Sequence, residues 1–213
     1  MKTYRDHYFN KAKQDNYPAR SVYKLEEIEK QSRLLTPGAA ILDLGACPGS
    51  WSLYAAKRVG PGGRVLGIDL NPAGTAFPGN VTYLIGDMLE PGPEIAEAFE
   101  RFGPFDVVLS DLAPKTTGHK FTDQARSLEL CEAALSVAVV RLKPGGAFVV
   151  KIFQGPDSPA FQKGLRRYFS AVRVAKPKSS RAESKEIFFV ATGFTAPVGQ
   201  PDDPAPSPLP PNG

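Results

Sequence analysis

Four short apolar runs, AAILDLG, RVLGIDL, VTYLIGD and FDVVLSD, recur through the first half of the chain and constrain its fold more than any other feature. Each has the length and aliphatic, β-branched content of a strand buried on both faces. The last three close on an aspartate: Asp69, Asp87 and Asp111. GSWSLYAAKRV, after the first run, reads as a helix, and FTDQARSLELCEAALSVAVVRL, after the fourth, as a long amphipathic one. Thr122 is the expected N-cap of the long helix, and Lys143-Pro144-Gly145-Gly146 its end. AFVVKIF is a fifth strand, PAFQKGLRRYF a helix, and VRVAKP and EIFFVATGF two final strands. Upstream, RSVYKLEEIEKQSRLL places Val22, Leu25, Ile28 and Leu34 at near-helical spacing before Thr36-Pro37-Gly38 stops it. Strands separated by helices imply an α/β fold with a mainly parallel sheet and right-handed crossovers.

In such sheets ligands sit at the carboxyl ends of the strands, where the three aspartates and Lys151 would share one crevice. Lys151 is the odd residue in FVVKIFQG. A buried ammonium must find a partner, reach water or have a task, because an unpaired buried charge costs several kcal/mol or more. LDLGACPGSWS, between the first strand and its helix, is a glycine turn that lets backbone approach a ligand, with free N–H groups at the helix start. It departs from GxGxxG, since Cys47 and Ser50 stand where the second and third glycines would be, which counts against a pyrophosphate and so against a dinucleotide. Asp69 is spaced to bind ribose hydroxyls and Asp87 to meet an adenine amino group. Carboxylates lining a pocket suit a positively charged ligand without phosphates. S-adenosylmethionine, a sulfonium nucleoside, meets both conditions.

The 213 residues suffice for one domain with a sizeable core, expected over 1–194. Net charge is +4 and the pI about 9.0, which permits a polyanionic partner. Positive charge gathers at Lys2, Arg5, Lys11, Lys13, Arg20 and Lys24, and again from Lys163 to Lys185. Residues 1–35 thus read as a basic, RNA-contacting segment and helix, with Tyr4, Tyr8, Phe9 and Tyr17 available to stack on bases. Cys47 and Cys131 are far apart and lack CxxC spacing, arguing against a disulfide scaffold or zinc and for a reducing compartment. No metal site is expected, and His7 and His119 have no ligand-like companions. MKTYRDHYFNKAKQD contains no apolar signal core, so a cytoplasmic protein is expected. The stretch 195–213 holds seven of the 21 prolines and reads as a disordered tail.

RSVYKLEEI, ILDLGACPGSWS, GIDLNP, VVLSDLAPKTTG, LKPGGAFVVKIFQG and KPKSSRAESKEIFFVATG together resemble, in order and spacing, the FtsJ family of bacterial ribosomal RNA 2′-O-methyltransferases, from about Asp6 to Phe194. The resemblance implies a Rossmann-like methyltransferase fold with a mostly parallel seven-stranded sheet and helices on both faces. It implies a catalytic tetrad at Lys24, Asp111, Lys151 and Glu186. Its cofactor, S-adenosyl-L-methionine, would be bound by Gly45, Pro48, Gly49, Trp51, Asp69, Asp87 and Asp111. Cys47 and Ser50 replace the alanine and glycine of the family pattern, and both are small enough for binding to survive. The implied partner is a uridine in the A loop of 23S ribosomal RNA within the 50S subunit, with no DNA or membrane partner, and a monomeric enzyme.

The residue types suit that chemistry: the ribose 2′-hydroxyl attacks the sulfonium methyl in line, and the enzyme must align the two and manage the hydroxyl proton. Lys151 is the expected catalytic centre, either as an ammonium facing developing alkoxide charge or as a neutral amine taking the proton. SDLAP is not the N-P-P-[YF] signature of base-amine methylation, which favours a sugar target. The competing readings are another RNA substrate, such as transfer RNA or a messenger cap, a dinucleotide-dependent reductase, and a non-catalytic RNA-binding assembly factor. The last has no need of Lys151 and Glu186 together.

Overall fold

A computed structural model describes residues 3–181 and 184–195. The proline-rich tail from 196 onward and the side chains of Lys2, Tyr4 and Arg5 lie outside the described residues. The elements in chain order are α1 (Thr3–Gln14), α2 (Val22–Ser32), β1 (Ala40–Leu44), α3 (Ser50–Val59), β2 (Arg64–Asp69), β3 (Val81–Ile85), α4 (Pro93–Phe102), β4 (Phe105–Ser110), α5 (Lys120–Arg141), β5 (Leu142–Phe153), α6 (Ser158–Leu165), β6 (Phe169–Ala175) and β7 (Glu186–Phe194). The seven strands form one sheet in the order β3-β2-β1-β4-β5-β7-β6. All pairs are parallel except those of β7, which runs antiparallel to both β5 and β6. The expected seven-stranded, mostly parallel sheet is thus observed.

Two packed layers explain the apolar runs. Leu42, Leu44, Val108, Val150 and Ile152 face a cluster that includes Ile95, Phe99, Ala134 and Phe161 from α4, α5 and α6. Ile41, Leu109, Val149 and Phe188 face Leu25, Ile28, Trp51 and Ala55 from α2 and α3. Alternate side chains of one strand therefore feed opposite layers, as the pleat requires.

Strand order reverses between β1 and β4, and open α/β sheets bind ligands at such a switch point. The reversal of β7 has a second consequence. Phe153, the last residue of β5, pairs with Glu186, the first of β7. The start of β7 therefore lies at the same end of the sheet as the ends of β1, β2, β4 and β5.

One local expectation needs correction, and two segments adopt structure to which the sequence assigned no element. The polar N-terminal segment forms a helix, α1, although its polar face is too broad to show a strong apolar stripe. The N-cap of α5 is His119 rather than Thr122, because Asp123 folds back to accept hydrogen bonds from Thr117 N and Gly118 N, at 2.7 and 3.2 Å, tightening the preceding turn. α5 ends at Arg141, just before Lys143-Pro144-Gly145-Gly146, close to where its end was expected, but this stretch is not free of the sheet. It is an irregular stretch inside β5, where the register against β4 shifts between Phe105 and Val107.

Candidate active site

The glycine turn connects β1 to α3 at the switch point. Gly45 has φ +75°, and a Cβ there would lie 2.6 Å from Leu112 Cδ2; Gly49 has φ +110°, and a Cβ would lie 2.8 Å from both Phe77 Cζ and Thr75 Cγ2. Only glycine satisfies both the left-handed backbone and the space. Asp69, at the end of β2, accepts a hydrogen bond from Cys47 N at 3.0 Å, fixing the turn against the neighbouring strand, and its other oxygen accepts from Asn71 N at 2.8 Å. The Cys47 thiol meets Pro72 O at 3.6 Å. Asp87 lies two residues beyond β3 and accepts from Leu89 N at 2.8 Å, closing its own turn.

The tetrad expected from the sequence is brought together as two ion pairs. Lys151 Nζ lies 2.9 Å from Asp111 Oδ1 and donates to Asp111 O at 2.5 Å. Lys24 Nζ, from α2, lies 2.7 Å from Glu186 Oε1, with the two side chains only 15% and 11% exposed. The pairs are neighbours. Lys151 is opposite Phe188 in the β5–β7 register, and Lys24 Nζ lies 5.9 Å from the centre of the Phe188 ring. Burial pushes the Glu186 carboxyl up, but Lys24, the Ser180 hydroxyl and the charge of Lys151 together hold it below its ordinary value. The question raised by Lys151 is answered structurally: it has a partner, and it sits at a strand end beside a second buried pair.

Trp51 is placed differently from a crevice-lining residue. It is 3% exposed, its ring stands 5.8 Å from that of Phe188, and its Nε1 donates to Ser21 O at 2.9 Å. It wedges α3 against α2 and β7. Its connection to the crevice runs through the positions of Ser21 and Phe188.

Several structural supports escaped sequence reasoning. Ser50 Oγ accepts from Ala19 N at 2.8 Å and donates to Ala19 O at 3.1 Å, tying the glycine turn to the segment that leads into Lys24. Glu27 accepts from Lys178 N and Ser179 N at 2.6 and 2.9 Å, and Arg20 Nη2 donates to Ser179 O at 2.6 Å, clamping the β6–β7 connection onto α2. Lys176 has its ammonium already engaged by backbone, donating to Ser184 O and Glu186 O at 2.6 and 2.5 Å. Lys11 stands over the Tyr23 ring and Arg20 over that of Tyr8.

Asp43 is the most informative of these omissions. It is fully buried in β1 and accepts from Ser52 Oγ at 2.6 Å, while Oδ1 has no partner among the described residues. Burial first, then the charges of Asp111 and Asp69, push its carboxyl up to about 7 against the opposing pull of Ser52. The run ILDLG showed an acid in an apolar strand, the same signal that singled out Lys151. Among the described residues no group of three or more His, Cys, Asp or Glu is placed to hold a metal ion, and no helix is long and apolar enough to cross a membrane.

A parallel sheet with a glycine turn at its switch point, strand-end carboxylates and one reversed strand is the architecture of Rossmann-like methyltransferases. Solved structures agree. A protein described as a ribosomal RNA methyltransferase from Plasmodium falciparum superposes with a TM-score of 0.75 at 26% identity, over 84% of this chain and 98% of that one. The methyltransferase MycE of mycinamycin biosynthesis shares the fold alone, with a TM-score of 0.53 at 17% identity over 82% of this chain and 47% of that one. The family model described as FtsJ-like methyltransferase matches residues 17–194, and the chain belongs to that family. Among curated relatives, a protein from Oleidesulfovibrio alaskensis named Ribosomal RNA large subunit methyltransferase E is 60% identical, over 91% of this chain and 94% of that one. One of the same name from Lawsonia intracellularis is 48% identical over 91% and 97%.

Proposed function

We propose that the chain transfers a methyl group from S-adenosyl-L-methionine to a ribose 2′-hydroxyl of 23S ribosomal RNA, at a uridine of the A loop presented by the assembled 50S subunit. The observation that carries the reaction is the pair of buried ion pairs, Lys151–Asp111 and Lys24–Glu186, at the carboxyl ends of β4 and β5 beside the glycine turn. The names of the close relatives support large-subunit ribosomal RNA as the substrate class. The enzyme acts in the cytoplasm as a monomer built from one domain, residues 1–194, with 195–213 as an appended tail.

The residues present fit the cofactor. Gly45 and Gly49 let the turn close tightly against Leu112, Thr75 and Phe77, Asp69 at the end of β2 fixes it through Cys47 N, and Asp87 follows the end of β3. Gly45, Pro48, Gly49, Asp69, Asp87 and Asp111 would line its site, with Trp51 supporting the turn from behind. When bound, S-adenosyl-L-methionine supplies an electrophilic methyl group on a sulfonium.

Lys151 sits where the acceptor hydroxyl must be managed. Its nitrogen makes two contacts, to Asp111 O and Asp111 Oδ1. Only the contact to Asp111 O is a directed hydrogen bond, so a tetrahedral position is left for the 2′-hydroxyl, as an N–H directed at its oxygen or as a lone pair directed at its proton. Asp111 fixes the direction of that position. Lys24 and Glu186 neutralise each other and hold α2 against the start of β7, setting one wall of the site.

The test incubates purified protein with radiolabelled S-adenosyl-L-methionine and either undermethylated 50S subunits or transfer RNA, followed by nucleoside analysis. Label recovered as 2′-O-methyluridine from 23S RNA is the expected result. Label in transfer RNA alone overturns the substrate, and label on a base overturns the chemistry.

A further inference from the structure

We propose that Asp43 is the residue by which the cofactor site tells the cationic methyl donor from its neutral product, giving up a proton when the sulfonium binds and regaining one after methyl transfer. This deepens the proposed function and rests on it. Asp43 stands opposite Gly67 on β2 and Leu109 on β4. Asp69 and Asp111 follow those partners by two positions, toward the carboxyl ends of the strands. Residues two apart on a strand point to the same face, so the three acids share one face at the switch point, with Asp43 between and behind the other two. The glycine turn begins two residues after Asp43, at Gly45.

Asp43 is held without a counter-ion. It is 0% exposed, Ser52 Oγ donates to its Oδ2, and Oδ1 has no partner among the described residues. Gly67 makes room for that serine, since a Cβ there would lie 2.9 Å from Ser52 Oγ. The charges that act on Asp43, those of Asp111 beyond β4 and Asp69 on β2, are both negative. Lys151 and Lys24 are engaged by Asp111 and Glu186. The Tyr83 phenol on β3 and the Cys47 thiol in the turn are both pushed up and stay neutral through the neutral pH range. Burial and the two acids leave Asp43 titrating near 7, where one added charge changes its state. So deeply placed a carboxyl answers a bound charge through space rather than by contact, and such attraction is strong where water is excluded.

S-adenosyl-L-methionine brings the missing positive charge. Its sulfonium favours the ionised form of Asp43, so binding releases a proton to solvent, and by linkage affinity rises with pH. Methyl transfer turns the sulfonium into a neutral thioether. Asp43 then takes a proton back from solvent, and the product, S-adenosylhomocysteine, loses the attraction that held the donor.

The experiment titrates S-adenosyl-L-methionine or S-adenosylhomocysteine into the full chain in a calorimeter, from pH 5 to 8, in buffers of different ionisation enthalpy, with wild type, Asp43→Asn and Ser52→Ala. The ligand's own amino group titrates alike with every protein, so differences between proteins isolate Asp43. Near pH 7, wild type is expected to release about half a proton more than Asp43→Asn per S-adenosyl-L-methionine bound. Its affinity for the donor should gain about tenfold on that of Asp43→Asn between pH 5 and 8, the lower end of what a nearby opposite charge does to a carboxyl. With S-adenosylhomocysteine the two proteins should show no such difference. Ser52→Ala removes the hydrogen bond that opposes the upward push on Asp43 and should move the release maximum to higher pH, a readout that holds even if Asp43→Asn does not fold. Equal proton release by wild type and Asp43→Asn, the same difference with the product, or an unmoved maximum in Ser52→Ala overturns the inference. Failure of wild type to bind S-adenosyl-L-methionine refutes the proposed cofactor, and the inference falls with it.

Discussion

Replacing Asp43 with asparagine should make the protein less sensitive to alkaline pH. The carboxyl is raised from 3.8 to about 7, burial being the largest cause. A carboxyl whose folded-state value lies above its unfolded value binds more protons when folded, so stability falls as pH rises between the two. From pH 5 to its folded value near 7, this one group removes about 3 kcal/mol of unfolding free energy, at 1.36 kcal/mol per unit. Above about 7 both states are ionised and the loss levels off. Asparagine mimics the protonated acid, can still accept from Ser52, and has no charge to lose. Urea denaturation of both proteins at pH 5, 6, 7 and 8 reads the difference directly, since all other titrating groups are common. Asp43→Asn should gain on wild type by about 3 kcal/mol across that range. Parallel pH profiles would refute the claim that Asp43 is held protonated by burial.

Other perturbations test separate parts of the structure. Gly49→Ala forces a left-handed residue with a Cβ 2.8 Å from Phe77 and Thr75, and should weaken S-adenosyl-L-methionine binding at least about tenfold by calorimetry; unchanged affinity would contradict the close approach at the turn. Glu29→Ala strips the acceptor from Leu34 N at 2.9 Å and Leu35 N at 3.2 Å and the partner from Arg58, and should cost roughly 2–4 kcal/mol in denaturation experiments. A loss below about 0.5 kcal/mol would show that water replaces the carboxylate. Lys24→Met leaves Glu186 buried without its cation and should destabilise by roughly 3 kcal/mol at pH 7. Because Glu186 is held below its ordinary value, the contribution of the pair is present above the carboxylate range and lost as pH falls through it. The gap between Lys24→Met and wild type should therefore shrink in acid, and a gap that widens would reverse the assignment.

The strands were legible as short apolar runs, continuous where both faces are covered, as in β1 and β4, and looser in β3 and β6, which stand at the sheet's two edges. Their order was not legible, since pairing depends on which helix covers which face. The reversal of β7, which brings Glu186 to Lys24 and Phe153, leaves no mark in local sequence. The helix α4 was unread, although Ile95, Ala98, Phe99 and Phe102 repeat with helical spacing between flanking prolines and glycines. Lys151 was conspicuous as a charge in an apolar run. Asp43 presented the same contrast within ILDLG, where the glycine turn immediately after it drew the functional reading instead. Lys24 and Glu186 looked like surface charges, and only resemblance to a family singled them out. Their burial arises from the packing of α2 across the end of β7, a contact between residues 162 positions apart. The clustered basic residues were read as available to a polyanion, yet the Lys176 ammonium is already held by two carbonyls and Lys11 and Arg20 rest on tyrosine rings. Charge counts do not show which cations the fold already uses.

The most direct test of the account is methyl transfer to 50S subunits by Lys151→Ala, measured beside wild type at saturating S-adenosyl-L-methionine, with cofactor binding followed separately. Removing the amine that faces the acceptor hydroxyl should lower kcat by about 10²–10⁴-fold. Cofactor affinity should stay near that of wild type, because the glycine turn and Asp69 are untouched. A Lys151→Ala protein that methylates 23S RNA within a few-fold of the wild-type rate would show that the Lys151–Asp111 pair only braces the sheet, and would contradict the assignment of the active site.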